Sequence, residues 1–270
     1  MPLDLPDDEL DARLDTARRL ARAAGTTTLQ WFGAGKIEVE RKADDSPVTV
    51  ADRQAEELLR EQIAREYPDD AILGEEFGEA SGRSPYRWIV DPIDGTKSFI
   101  CGVPLYATLV GIERGGVAVA GVIHLPALDE TAYAARGRGA WHEVAGRPLR
   151  PARVASLESL ADGLFVTSQV DTFFQRGAGA VYQELERRAA ITRTWGDAYG
   201  YLLVATGRAA VMVDAAMSPW DAAAVVPIVE EAGGRFTDWS GAATFDGGNG
   251  IGSNGRVHDE VLSVIASKMG

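Results

Sequence analysis

Trp88-Ile89-Val90-Asp91-Pro92-Ile93-Asp94-Gly95-Thr96 holds the densest information in this chain. Its three leading apolar residues predict a buried strand that delivers Asp91 at its end. Pro92 has no N–H to give a ladder and opposes simple continuation. Asp94 then falls on a turn, and Gly95-Thr96 opens a short helical stretch toward Gly102. Two acids near a strand end, followed by the exposed amides of a helix start, can hold cations and a phosphate side by side. In isolation the same residues would also suit an ordinary Asp-Pro/Asp-Gly turn in which Asp94 caps a helix.

Two further segments repeat the theme. Ile72-Leu73-Gly74-Glu75-Glu76-Phe77-Gly78 sends two acids out of an apolar strand, and Trp220-Asp221 opens a helix expected to run to Ala232. Each has a plainer reading: a solvated acidic turn for the first, a favourable helix-dipole partner for the second. Pro227 lies inside that last helix and predicts a bend.

Around these segments, Leu10, Leu14, Ala17, Ala21 and Ala24 predict an amphipathic first helix. A second is expected from Val50 to Glu66, closed by Pro68. Gly115-Gly116 marks a hairpin between Thr108–Ile112 and Val117–Ile123. After Pro151, strands near 164–167, 191–194, 209–214, 235–237 and 251–253 alternate with helices near 179–188, 198–206, 221–232 and 259–268. An antiparallel-rich α+β half (1–150) and an α/β half (151–270), packed as one layered unit, follow from this order.

The net charge of −13 and the absence of a Lys/Arg cluster argue against nucleic acid as a partner. No apolar run approaches the roughly 20 residues of a membrane span. Met1-Pro2-Leu3-Asp4 is acidic and no apolar segment follows it, so no signal peptide is expected. One cysteine, Cys101, excludes a disulfide framework and a cysteine-based zinc site, and a reducing cytoplasm is the expected location. Cys101 is expected to be a buried small residue. His124, His142 and His258 are scattered without ligand spacing and read as structural.

Taken together, Gly74-Glu75-Glu76, Asp91-Pro92-Ile93-Asp94-Gly95-Thr96 and Trp220-Asp221-Ala222-Ala223 resemble the inositol monophosphatase-like superfamily over nearly the whole chain. The resemblance implies a layered αβαβα sandwich of the inositol monophosphatase/fructose bisphosphatase type, a homodimer, and Mg²⁺ as cofactor, two or three ions per site. It implies Glu75, Asp91, the Ile93 carbonyl, Asp94 and Asp221 as metal ligands, and Gly95 and Thr96 amides for the phosphate. Glu75 and the Thr96 hydroxyl would orient the attacking water, with Asp52 supporting them. Lys42 and Asp44 would lie in the mobile loop that helps complete the metal site.

Hard oxygen donors without cysteine suit Mg²⁺, and bound cations reverse the local charge so that an acidic protein can take a phosphate. Phosphatases with an aspartyl nucleophile need Asp-x-Asp, whereas Asp91 and Asp94 are three positions apart with a proline between them. Direct water attack on a small phosphorylated metabolite is therefore expected. Trp195-Gly196-Asp197, Tyr199-Gly200 and Ser218-Pro219-Trp220-Asp221 resemble the histidinol-phosphatase branch; inositol phosphatases tend to carry small or hydroxylated residues where Asp197 stands. Asp197 would suit an ammonium-bearing substrate, and Asp214 a second substrate contact. Asp197 could also cap the helix that follows it, and capping and substrate contact need not exclude each other. An inositol or broad sugar-phosphate phosphatase is the alternative substrate reading, and a catalytically silent metal- or phosphate-binding protein the alternative class.

Overall fold

The computed structural model describes residues 7–33, 39–41 and 47–269. Lys42 and Asp44 lie outside them. Two helices, α1 (Asp7–Leu29) and α2 (Val50–Glu66), flank a short antiparallel pair, β1 (Val39–Arg41) and β2 (Pro47–Thr49). The start of α2 is set by a capping box. The Thr49 hydroxyl accepts from the Ala51 amide, while Asp52 accepts from the Thr49 amide at 2.8 Å.

The large sheet comprises β3 (Ala71–Gly74), β4 (Gly78–Ala80), β5 (Tyr86–Asp94), β6 (Ala107–Arg114), β7 (Val117–Leu125), β8 (Glu130–Ala135), β9 (Ala140–Val144) and β10 (Arg150–Pro151). Its order is β10-β9-β8-β7-β6-β5-β3-β4, antiparallel except for the β3–β5 pair. A five-residue helix, α3 (Thr96–Ile100), follows β5 directly. Gly115 and Gly116 both have positive φ, as a tight β6–β7 hairpin requires.

The second sheet contains β11 (Leu164–Val166), β12 (Ile191–Arg193), β13 (Val211–Asp214), β14 (Arg235–Thr237) and β15 (Gly250–Ser253), ordered β12-β11-β13-β15-β14. Its helices are α4 (Val170–Gln175), α5 (Gly179–Arg188), α6 (Ala198–Ala205), α7 (Pro219–Ala222), α8 (Val225–Glu231) and α9 (His258–Met269).

Burial explains the layering. On β5, Trp88 and Val90 pack toward α1 and α2, whereas Ile89 faces the opposite way, toward Leu202 of α6 and Ile228 of α8. Both faces of the strand are covered, so it reads as an unbroken apolar run. The same middle layer receives Met212 and Phe236 from the second sheet. Phe165, Val213 and Ile251 fill the sheet's outer face against α4, α5 and α9. The result is the expected αβαβα sandwich.

Three local expectations need correction. The β5 strand does not stop at Asp91 but continues to Asp94 through an irregularity in its pairing with β6, from Asp91↔Leu109 to Asp94↔Ala107. Pro92 is absorbed there: it lacks a donor, but its carbonyl accepts from the Thr108 hydroxyl at 2.9 Å. The helix expected over 221–232 is two helices, broken at Ala223–Ala224. A proline ring crowds the carbonyl four residues earlier, which for Pro227 is that of Ala223. Cys101 is exposed rather than buried: α3 turns only Phe99 inward, and Gly102, at φ +69°, leads the chain away. The histidines are buried and structural. His124 meets Thr131, and His258 sits between Thr237 and Ser253. Burial pushes both imidazoles down to about 4.

The broken helix lies on a prepared surface. Gly111 and Gly121 are cross-strand partners on β6 and β7. A Cβ on Gly121 would stand 2.0 Å from the Ala224 carbonyl oxygen, and one on Gly111 2.9 Å from the Ala223 backbone. Two missing side chains thus let the α7–α8 junction rest on the sheet.

Candidate active site

Three elements converge above the β5 irregularity. Asp91 and Asp94 come from β5, and Asp221 from the third position of α7, where it accepts from the Ser218 amide at 2.7 Å. Each offers a carboxylate oxygen within 4.8 Å of the others. Asp91 also accepts from the Ile93 amide at 3.0 Å, which bends the chain so that Ile93 and Asp94 follow tightly. Glu75 leaves β3 beside them, its amide bonded to the Val90 carbonyl and its carboxyl to Asp91.

The charge balance states what this group requires. Burial first, then Glu75, Asp94 and Asp221, pushes the Asp91 carboxyl well up; burial, then Asp197 and Asp221, does the same to Asp94. Asp221 is pushed up to about 7, by burial before the negative charges of Glu75, Asp197 and Asp214. Among the described residues lining the cavity, Lys97 is the single cation. Its Nζ donates to Gln169 Oε1 across the opening rather than to the three aspartates. Clustered buried carboxylates with hard oxygen donors fit a divalent cation, which would supply the missing positive charge.

The supporting groups are equally ordered. The Thr96 hydroxyl donates to the Ile93 carbonyl at 3.2 Å, so its lone pairs face outward as acceptors. Gly95 precedes α3 with φ +87°, and the first amides of that helix have no acceptor within it. Asp52 is buried at the start of α2 and pushed up to about 6, by burial against its Thr49 hydrogen bonds, with the Glu75 charge adding to the rise.

Glu75, Asp91, Ile93, Asp94, Gly95, Thr96, Asp197 and Asp221 line one cavity of about 670 Å³. Asp214 and Tyr201 line a contiguous recess of about 170 Å³ that shares Asp94, Asp197 and Asp221. Asp197 occupies the position before α6, yet its side chain makes no capping bond. The amide of Ala198 is taken instead by Asp94 Oδ2, from 104 positions away. The Asp197 carboxylate accepts a hydrogen bond from the Ser168 side chain and lies over Gly95, where an added Cβ would meet its Oδ2 at 2.7 Å. Asp214 is more enclosed. Its Oδ1 accepts from the Ser168 amide at 2.9 Å and the Thr167 hydroxyl, and its Oδ2 from Tyr201 at 3.0 Å.

The sequence profile of the inositol monophosphatase family matches residues 9–269. The chain belongs to that family. A histidinol-phosphatase of Chlorobaculum parvum is 44% identical over 94% of this chain and 96% of its own. One of Streptomyces coelicolor is 40% identical over 97% and 98%. Among solved structures, an IMPase of Thermotoga maritima superposes with a TM-score of 0.83 at 33% identity, covering 96% of this chain and 98% of its own. This inositol monophosphatase family member is accordingly a metal-dependent phosphomonoester hydrolase acting on small phosphorylated substrates.

Several participants in the site are not apparent in the sequence reading. Glu56, fully buried on α2, accepts from the amides of Glu76 and Phe77 and so fixes the turn that presents Glu75. Gly74 makes room for it, since a Cβ there would lie 2.0 Å from the Glu56 carboxylate. A glutamate on the face shared by Ala55, Leu59 and Ile63 was the available signal. The α4 residues that bring Gln169 to Lys97 carry none, because a six-residue helix shows too little periodicity.

Proposed function

We propose that this enzyme is a Mg²⁺-dependent histidinol-phosphatase that hydrolyses its substrate by direct attack of water. The carrying observation is the Asp197 carboxylate. It lies over Gly95, makes no helix-capping bond and would receive an ammonium group. The histidinol-phosphatase relatives support the same substrate. Trp195, 42% exposed, adds an aromatic wall to the cavity two residues before it.

Asp91, Asp94, Asp221, Glu75 and the Ile93 carbonyl would hold Mg²⁺, which when bound neutralises phosphoryl charge and makes a water more acidic. Gly95 and Thr96 would offer their amides to the phosphate. Thr96 Oγ accepts a hydrogen bond from the attacking water, through a hydrogen that stays on the water oxygen, because its own proton is committed to Ile93. Glu75 accepts the other as the water oxygen bonds to phosphorus and the ester P–O bond breaks; the departing alkoxide is protonated by solvent. Asp52, buried near Glu75, supports that carboxylate. Asp214 acts as a positioning residue for Ser168 and Tyr201, since both of its oxygens are engaged by the protein.

A substrate comparison in wild type and Asp197→Asn tests the proposal. Asparagine keeps the shape and removes the charge. Loss of a hydrogen bond to a charged group costs about 1.5–3 kcal/mol, so kcat/KM for histidinol phosphate is expected to fall roughly 10–150-fold. Turnover of uncharged esters such as glycerol phosphate should be largely spared. Equal losses on both would reduce Asp197 to a structural residue. A wild-type preference for inositol monophosphate or fructose bisphosphate would retire histidinol phosphate as the substrate.

A further inference from the structure

At the edge of the large sheet formed by β9 and β10, this acidic chain carries a basic recess. Two adjoining cavities, of about 240 and 150 Å³, share His142 and Arg150. Arg147 lines the first, and Arg153 and Thr206 line the second. None of these residues lines the catalytic cavity.

A buried hydrogen-bond chain builds the recess. His142 is 2% exposed and stands between Glu130, at 2.7 Å from its Nε2, and Arg150, whose Nη2 lies 3.0 Å from its Nδ1. A guanidinium only donates, so Nδ1 is the acceptor, and the ring proton on Nε2 goes to Glu130. The imidazole therefore sets the direction of Arg150. Glu130 also accepts from Arg208 at 2.6 Å, and Arg208 is steadied by Thr206 at 2.9 Å.

The local charge does not balance. Glu130 is the carboxylate of this network, set against the guanidinium groups of Arg147, Arg150, Arg153 and Arg208. Arg153 donates to the carbonyls of Ala152 and Glu231, while the Glu231 carboxylate is spent on the amides of Gly137 and Gly139. Glu143, the acid of β9, pairs with Arg18 and Arg22 of α1. The Arg147 guanidinium makes no ion pair among the described residues. Arg150 lines both cavities, with Arg147 in one and Arg153 in the other. Guanidinium forks match the tetrahedral oxygens of a phosphoryl group, which they can bind bidentately.

We propose that this recess is a second anion site, in which Arg147, Arg150 and Arg153 bind a phosphoryl group, either inorganic phosphate or the phosphoryl end of a small metabolite. Calorimetric titration of the Mg²⁺-loaded full chain with inorganic phosphate should reveal two sites per chain, one catalytic and one here. Arg147→Glu should weaken the second at least tenfold while leaving turnover and melting temperature unchanged, since Arg147 has no partner to lose. Arg150→Gln is the less clean variant, because it also releases His142. Methylphosphonate, which cannot be hydrolysed, separates the two sources. Binding at the second site would indicate a carbon-linked phosphoryl group, and selective binding of phosphate would indicate the free ion. A single phosphate per chain in the wild type, or a second site unmoved by Arg147→Glu, overturns the proposal.

Discussion

Asp221→Asn, and equally Asp91→Asn, is expected to cut turnover by at least about 10²–10³-fold, the scale seen when one electrostatic contributor to a transition state is removed. Both variants retain the acceptor oxygen that orders the backbone, for the Ser218 amide in one case and the Ile93 amide in the other. Only the negative charge is lost, so the fold should survive. The metal-free protein should melt higher than wild type at pH 8, where the three carboxylates within 4.8 Å of one another repel most strongly. With saturating Mg²⁺ the order should reverse, because the wild type gains more from the ion. Melting curves with Mg²⁺ and with a chelator, alongside turnover, measure all of this. Undiminished turnover would remove Asp221 or Asp91 from the site.

Gly121→Ala should be the most damaging change outside the cavity. Its methyl group would have to occupy space 2.0 Å from the Ala224 carbonyl oxygen and 2.7 Å from the carbonyl carbon, both main-chain atoms that no side-chain rotation relieves. Overpacking commonly costs 1–3 kcal/mol, and a backbone collision of this depth should cost about 3 kcal/mol or more. The junction that must move carries α7, and with it Asp221. A displacement near 1 Å at a reacting centre is worth about 10²-fold in rate, so the folded fraction should be slow as well as unstable. Gly111→Ala, with its nearest atoms at 2.9 Å, should fall between this variant and wild type. Urea unfolding together with kcat at saturating Mg²⁺ tests the series; if Gly121→Ala matches wild type in both, the glycine pair does not seat Asp221.

What the sequence made legible follows from where the determinants sit. Helix α2 is found at both ends because its signals are local: Thr49 and Asp52 close the capping box, and Pro68 ends the run. The three aspartates are legible because metal chemistry demands their residue type near strand and helix ends. By contrast, the strand was expected to end at Asp91, because a bulge that accommodates Pro92 depends on Thr108 in the neighbouring strand. The division of the 221–232 helix depends on Pro227 and on two glycines more than a hundred residues earlier. That Asp197 does not cap α6 is visible only in the structure, where Asp94, 104 positions before Ala198, takes that residue's amide. Such long-range arrangements leave no periodicity behind.

That last bond has an evolutionary side. A residue at the start of a helix is ordinarily held to a short menu of capping side chains, with a penalty of about 0.5–2 kcal/mol for leaving it. Here Asp94 performs that task for α6, and it is already constrained by its place among the clustered carboxylates. Position 197 is thereby released from the menu. Under the proposed ammonium-binding role, a change there would alter which ester is accepted while the helix beneath it stays anchored by Asp94. A substitution at this position would therefore leave the start of α6 with its acceptor in place.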